Sequence, residues 1–193
     1  RNEQTPRGGE VSSSLSSSSS PGAPVLDPVA LYGLVGDCVR AIAPHTEASE
    51  AALVAHLLTM AGSAIGPGPA VQVGADRHRG NLFVCCVGPT STGRKGTALS
   101  EARRLLAAAD PDWLPRVVSG LSSGEGLIYG VRDPREAEEP IKERGRIVDY
   151  QRVVKDAGVS DKRLLVVESE FASVLRVSRR DGSTLSTTVR QAW

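Results

Sequence analysis

Two stretches of this chain hold the residue types that phosphate chemistry needs. The first is Leu82 to Thr97, LFVCCVGPTSTGRKGT. Six apolar residues, Leu82 to Val87, predict a strand covered on both faces, as in a parallel sheet. The small residues Gly88 to Gly93 follow, and their backbone N–H groups can converge on an anion without Cβ atoms in the way. Arg94 and Lys95 add positive charge. The spacing then predicts a helix from Thr97 to Ala109, whose N-terminal N–H groups and dipole favour phosphate. Strand, small-residue loop, lysine and helix in this order make a cradle for a nucleotide phosphate.

The register of this loop departs from the G-x-x-x-x-G-K-[ST] pattern. Counted from Gly88 and Gly93, the lysine slot holds Arg94 and the hydroxyl slot holds Lys95. Counted from Lys95, the slot before it holds Arg94 instead of glycine, and the hydroxyl comes one residue late, at Thr97. We place Lys95 on phosphate and Thr97 beside a magnesium ion, with Gly96 letting the loop bulge. Gly88, Thr90, Ser91, Thr92, Gly93, Arg94 and Gly96 complete the expected cradle. The competing reading is a glycine-rich strand-to-helix connection that binds nothing.

The second stretch is Arg163 to Phe171, RLLVVESEF. Four apolar residues ending in acids predict a buried strand that delivers a carboxylate at its tip. Such a carboxylate can hold the waters of a magnesium ion, and its neighbour can orient an attacking water. Glu168 is assigned to the metal side and Glu170 to water activation, although the two roles could be exchanged. Between these stretches, Ser119 to Ile128 forms another small-residue turn into a helix, after a strand centred on Val117 and Val118. Ser122 or Ser123 can cap that helix. Glu125 either complements the positive helix end or faces a nucleotide as a further catalytic acid.

The elements that must position these residues are legible in outline. The chain has 193 residues, 40% hydrophobic and 23% charged, which fits a globular protein with some flexible sequence. Aromatics are only 4%, so base-stacking platforms are scarce, and the net charge of +1 does not declare a nucleic-acid binder. Residues 1–26, with a serine run from Ser12 to Ser20, read as a disordered tail or linker. Asp27-Pro28 signals a helix start, and a second helix is expected from about Ser49 to Ala61; residues 27–66 thus form an N-terminal helical pair. His56 inside it reads as a satisfied core or boundary histidine. Ala70 to Gly74 predicts a short strand and Asp76 to Gly80 a polar turn. Asp133 to Asp161 reads as a charged surface excursion with a short helix near Tyr150 to Ala157. Helices are expected again from Phe171 to Val177 and from Ser183 onward. Arg176, Arg179, Arg180 and Arg190 there suit DNA phosphate, a neighbouring subunit's nucleotide or plain solvation.

Cys38, Cys85 and Cys86 are too few and too badly placed for a disulfide framework, so reduced core thiols and a cytoplasmic setting are expected. No secretory signal is visible, and Ala51 to Gly66 is too short and polar for a membrane span. The lack of a starting methionine and the stop within a helical pattern lead us to expect a fragment of a longer protein, truncated at its C-terminus.

Three segments together resemble a known family: GPTSTGRKGT, SGLSSGEGLIYGVRDP, and DKRLLVVESEF followed by RRDGSTLSTTVRQAW. They look like the P-loop, helicase-like domain of an uncharacterised bacterial family found on mobile elements and often joined to a primase-polymerase module. The resemblance covers roughly residues 31–193. It implies an α/β, RecA-like P-loop NTPase core over residues 67–193, three-layer α/β/α with a mainly parallel sheet. It also implies ATP and Mg2+ as ligands. Lys95 and Thr97 fall on the family's phosphate-loop positions in an Arg-Lys-Gly-Thr variant, and Glu168 and Glu170 on its acidic strand end. The expected activity is ATP hydrolysis coupled to DNA in replication of a mobile element, with a ring homo-oligomer in the full-length protein and weak activity in this piece. Two other classes compete: a nucleotide-binding scaffold or switch without turnover, and a small-molecule phosphotransferase.

Overall fold

A computed structural model describes residues 26–88 and 94–192. The expected tail lies, but for Leu26, outside these residues, as do Thr90, Ser91, Thr92 and Gly93 of the expected cradle.

The molecule is mixed α/β. A helical body comes first. The Asp27 carboxylate accepts from Val29 N–H at 2.9 Å and starts a 3-10 turn at Pro28–Ala30. Helix α1 (Gly33–Ile42) and α2 (Glu50–Ile65) follow, the second running four residues past its expected end. The third long helix, α3 (Lys95–Ala109), leads into a 3-10 turn at Pro111–Arg116. Val39, Ile42, Leu53, Leu57, Met60, Ala98 and Ala102 close into one core with Trp113. Small residues at Ala98 and Ala102 let α3 lie close against α2. Trp113 is fully buried and its indole N–H donates to Ser63 Oγ at 3.1 Å, so the largest core side chain leaves no unpaired polar atom.

The strands are short and split among three pairs. β1 (Ala70–Val73) and β2 (Asp76–Arg79) form an antiparallel hairpin. β3 (Val117–Val118) lies parallel to β6 (Leu165–Val166), in the register Val117 with Leu165 and Val118 with Val166. β4 (Arg135–Glu143) and β5 (Arg146–Asp156) form a long antiparallel ribbon. Helices α4 (Gly124–Gly130), α5 (Phe171–Ser178) and α6 (Leu185–Gln191) complete the set.

Four expectations are corrected. A mainly parallel sheet within three layers is not formed among the described residues; only β3 and β6 run parallel, and two of the three pairs are antiparallel. Residues 82–87 belong to no strand among the described residues, and Leu82, Phe83, Val84 and Val87 are exposed, as is Cys85. An apolar run fixes neither burial nor a pairing partner, so the buried strand and the buried Cys85 thiol both fail. Asp76–Arg79 is a strand because it pairs back on Ala70–Val73 through a turn at Gly74. The expected helix near residues 150–157 is instead the second half of β5. Its signal was the hairpin turn: Arg144 and Gly145 both have positive φ, +51° and +80°, as a two-residue turn matched to strand twist requires.

Arg163 ties the two halves together. Its guanidinium donates to Asp161 Oδ2 at 2.9 Å, to the Asp110 carboxylate at the end of α3, and to the Ala64 carbonyl at the end of α2 at 3.0 Å. This cluster holds the Asp161 carboxyl below the usual carboxylate range, chiefly through the Arg163 hydrogen bond.

Candidate functional site

The first small-residue loop is framed by two elements. Ahead of it, residues 81–88 pass along α2. Gly80 crosses α2 at Gly62 so closely that a Cβ on Gly62 would meet the Gly80 carbonyl oxygen at 1.8 Å. Farther on, Cys86 Sγ lies 3.9 Å from His56 Nε2. Burial among these groups lowers the His56 pKa and, with the neighbouring Cys85, raises that of Cys86. Asn81 Nδ2 donates to the Ala192 carbonyl at 3.1 Å, tying the start of the segment to the end of α6.

Behind the loop stands α3, fifteen residues long, whose first residue is Lys95. Lys95 Nζ donates to the Gly88 carbonyl at 2.7 Å. The ammonium therefore reaches from the start of α3 back to Gly88. Thr97 is exposed on the first turn of α3. Arg94 occupies the N-cap position with φ +42°, the left-handed region that glycine enters without strain. It also pairs with Glu47 at 2.6 Å. Arg94 thus sits where the usual pattern has glycine, in a conformation that suits glycine.

The second small-residue loop, after β3, is closed from within. Gly120 has φ +93°, and this turn aims the N–H groups of Gly120 and Leu121 at one point. Glu168, just past the tip of β6, fills that point: its Oε1 accepts from Gly120 N–H at 2.5 Å and from Leu121 N–H at 2.6 Å. Ser123 caps α4 by accepting from Gly126 N–H at 3.0 Å, as its position predicted. Glu125 is exposed on α4 and accepts from Thr184 Oγ1 at 2.8 Å. Its carboxyl is held below the usual range, first by its own backbone N–H and then by Thr184. Glu170 is exposed at the start of α5 and makes no side-chain cap bond there.

The structure thus joins Lys95 to Gly88 and Glu168 to the 120–121 amides. Beside the second loop is a cavity of about 290 Å³ lined by residues including Arg116, Val118, Ser122, Leu127, Tyr129 and Val166. The Arg116 guanidinium is spent on the carbonyls of Arg163 and Gly130, each at 2.7 Å, so it holds backbone in place beside this cavity.

The described residues contain no group of three or more His, Cys, Asp or Glu that could hold a metal alone; the Glu168 carboxylate is engaged by the Gly120 and Leu121 N–H groups, and Thr97 stands on the first turn of α3. Reasoning from sequence missed the clamp between Glu168 and the second loop, and it missed Arg163. The positive φ forced on Gly120 within Ser119-Gly120-Leu121 was the available signal for the first.

Comparison with known proteins gives no match: no family model, curated protein or solved structure is similar to this chain. Among the described residues, no helix is long and apolar enough to cross a membrane.

Proposed function

We propose that this chain is an ATP-binding module of the P-loop kind, with the phosphates held between Gly88 and Thr97. The observation that carries the reading is Lys95, which places its ammonium across a small-residue loop at the start of a long helix. An ammonium, free helix N–H groups and a loop of small residues are together a site for a polyphosphate. The resemblance noted in the sequence extends the proposal to a RecA-like core, to Mg2+, and to work on DNA in replication of a bacterial mobile element. It further extends to a ring of subunits and to a joined primase-polymerase module.

In this reading Lys95 offsets charge on the transferred phosphate, and a bound Mg2+ would supply further charge neutralisation. Thr97 and Glu168 would hold the ion or its waters, Glu170 would orient the attacking water, and Glu125 would be a further acid near the nucleotide.

One observation favours binding without turnover. Glu168, the strand-tip acid, already accepts two backbone N–H groups of the second loop. A carboxylate used to clamp a loop is a structural part first. ATP hydrolysis, measured with and without single-stranded DNA, separates the two readings. A motor shows hydrolysis that DNA stimulates and that Lys95→Ala abolishes. A scaffold binds ATP with no turnover under either condition.

A further inference from the structure

The β4–β5 ribbon stands apart from the other strands. Its nine- and eleven-residue strands pair only with each other among the described residues, leaving an outer edge on each. A two-stranded hairpin alone is marginal in water. This one also exposes large apolar side chains: Ile147, Val148, Tyr150 and Val154 are all more than half exposed. Tyr150 stands opposite Pro140, Val154 opposite Glu136 and Ile147 opposite Lys142. Directly opposed residues share a face, so these apolar side chains fall on one side of the ribbon. The other side carries Ala137, Ile141 and Val153, which are half-buried.

The two outer edges differ. β4 contains Pro140, which has no N–H and is tolerated only where its nitrogen points away from a partner strand. The missing donor therefore lies on the outer edge of β4, where four glutamates also discourage pairing. β5 has neither proline nor glycine over its eleven residues. Its outer edge is a long row of backbone donors and acceptors, on which the Tyr150 N–H is held only by the neighbouring Asp149 carboxylate, at 2.8 Å, a local bond that a partner strand can replace.

We propose that the outer edge of β5 pairs antiparallel with β5 of a second copy of this chain, about a two-fold axis at Gln151. The sequence of β5 is self-complementary in that register. Gln151 meets itself, and its amide can both donate and accept. Tyr150 faces Arg152, a guanidinium beside an aromatic ring. Asp149 faces Val153, and at the margins of the regular run Val148 faces Val154; Asp156, beyond it, is already held by Arg132. The valine and tyrosine pairs fall on the exposed apolar face, which the four-stranded sheet makes continuous. The ribbon's register shifts fall near Val148 and Lys155 and leave residues 149–154 regular. Centring the pairing on Arg152 instead would set two guanidinium groups against each other. The proposal is independent of nucleotide binding, since no residue of the first loop takes part.

Light scattering on the intact chain is the first test: the expected mass is twice 20.3 kDa, dissociating on dilution. Val148→Lys removes two symmetry-related apolar pairs and raises the dimer Kd about tenfold. The register is tested by cysteine cross-linking with Cys38, Cys85 and Cys86 replaced by serine. Gln151→Cys gives a covalent dimer on oxidation with copper phenanthroline, whereas Glu139→Cys, opposite it on β4, does not. A monomeric mass at every concentration, or equal cross-linking through position 139, overturns the proposal.

Discussion

Two loops of small residues lead into helices in this protein, and they are completed differently. The loop after β3 receives its anion from within the chain: the Glu168 carboxylate sits on the N–H groups of Gly120 and Leu121. The loop before α3 has a cation across its ends instead, with Lys95 on the Gly88 carbonyl. Glu47 pairs with the Arg94 guanidinium. The same local chemistry is therefore used twice. In the second loop a carboxylate takes the N–H groups, and in the first an ammonium takes a carbonyl; the proposed function gives the latter an anion from outside. The second loop also shows that a glycine at positive φ in this chain does aim two N–H groups at one oxygen.

The helix that follows the first loop and the strand that precedes the second both join the core around Trp113, through Ala98 and Ala102 of α3 and Val117 of β3. Trp113→Ala should bring both down together, with a loss of about 3–5 kcal/mol in urea unfolding. A loss below about 1 kcal/mol would mean that the loops do not share this support.

Glu168→Ala acts on the second loop alone. Two N–H groups lose a charged acceptor, so stability should fall by about 2 kcal/mol. Glu168→Gln keeps an acceptor oxygen and should recover part of that loss. If Glu168 serves the fold only, stability and nucleotide affinity separate cleanly: Glu168→Ala lowers the first and leaves the second within a factor of two or so.

Ser123→Ala removes the cap of α4 and should cost about 1 kcal/mol, again with no effect on nucleotide binding. A drop in ATP affinity would merge the two loops into one site.

The smallest expected effect concerns the support of the first loop. Burial lowers the pKa of His56 in the fold. The unfolded chain therefore takes up the proton first as pH falls from about 6.5, so stability falls with pH in that window and is fully present above it. Thermal unfolding of His56→Gln should show a flatter dependence between pH 7 and the lowered pKa. An unchanged slope would remove His56 from the account.

How much could be read in advance follows from which signals are local. Helices announced themselves through caps and periodicity: Asp27 and Ser123 make the bonds their positions implied. The strands at Val117–Val118 and Leu165–Val166 were legible as apolar runs next to turns. Partners were not legible. Leu82 to Val87 has strand composition but belongs to no strand among the described residues, because pairing depends on distant residues that composition does not name. The β5 strand was hidden by its polar, mixed-charge surface, although Arg144-Gly145 marked its turn. Of the site, Lys95 reaches the Gly88 carbonyl, a contact that could not have been read from spacing. Arg94 is instructive in another way. The sequence shows that it replaces glycine, and the structure shows the left-handed φ that results.

The central claim is that the loop held by Lys95 takes a triphosphate. Calorimetric titration of the intact chain with ATP and Mg2+ tests it most directly, beside Lys95→Ala and Arg94→Gly. The account predicts one site per chain, a loss of at least about thirtyfold in affinity for Lys95→Ala, equivalent to about 2 kcal/mol for a charged hydrogen bond, and retained binding for Arg94→Gly. No heat of binding in the intact chain, or equal affinity in Lys95→Ala, would contradict it.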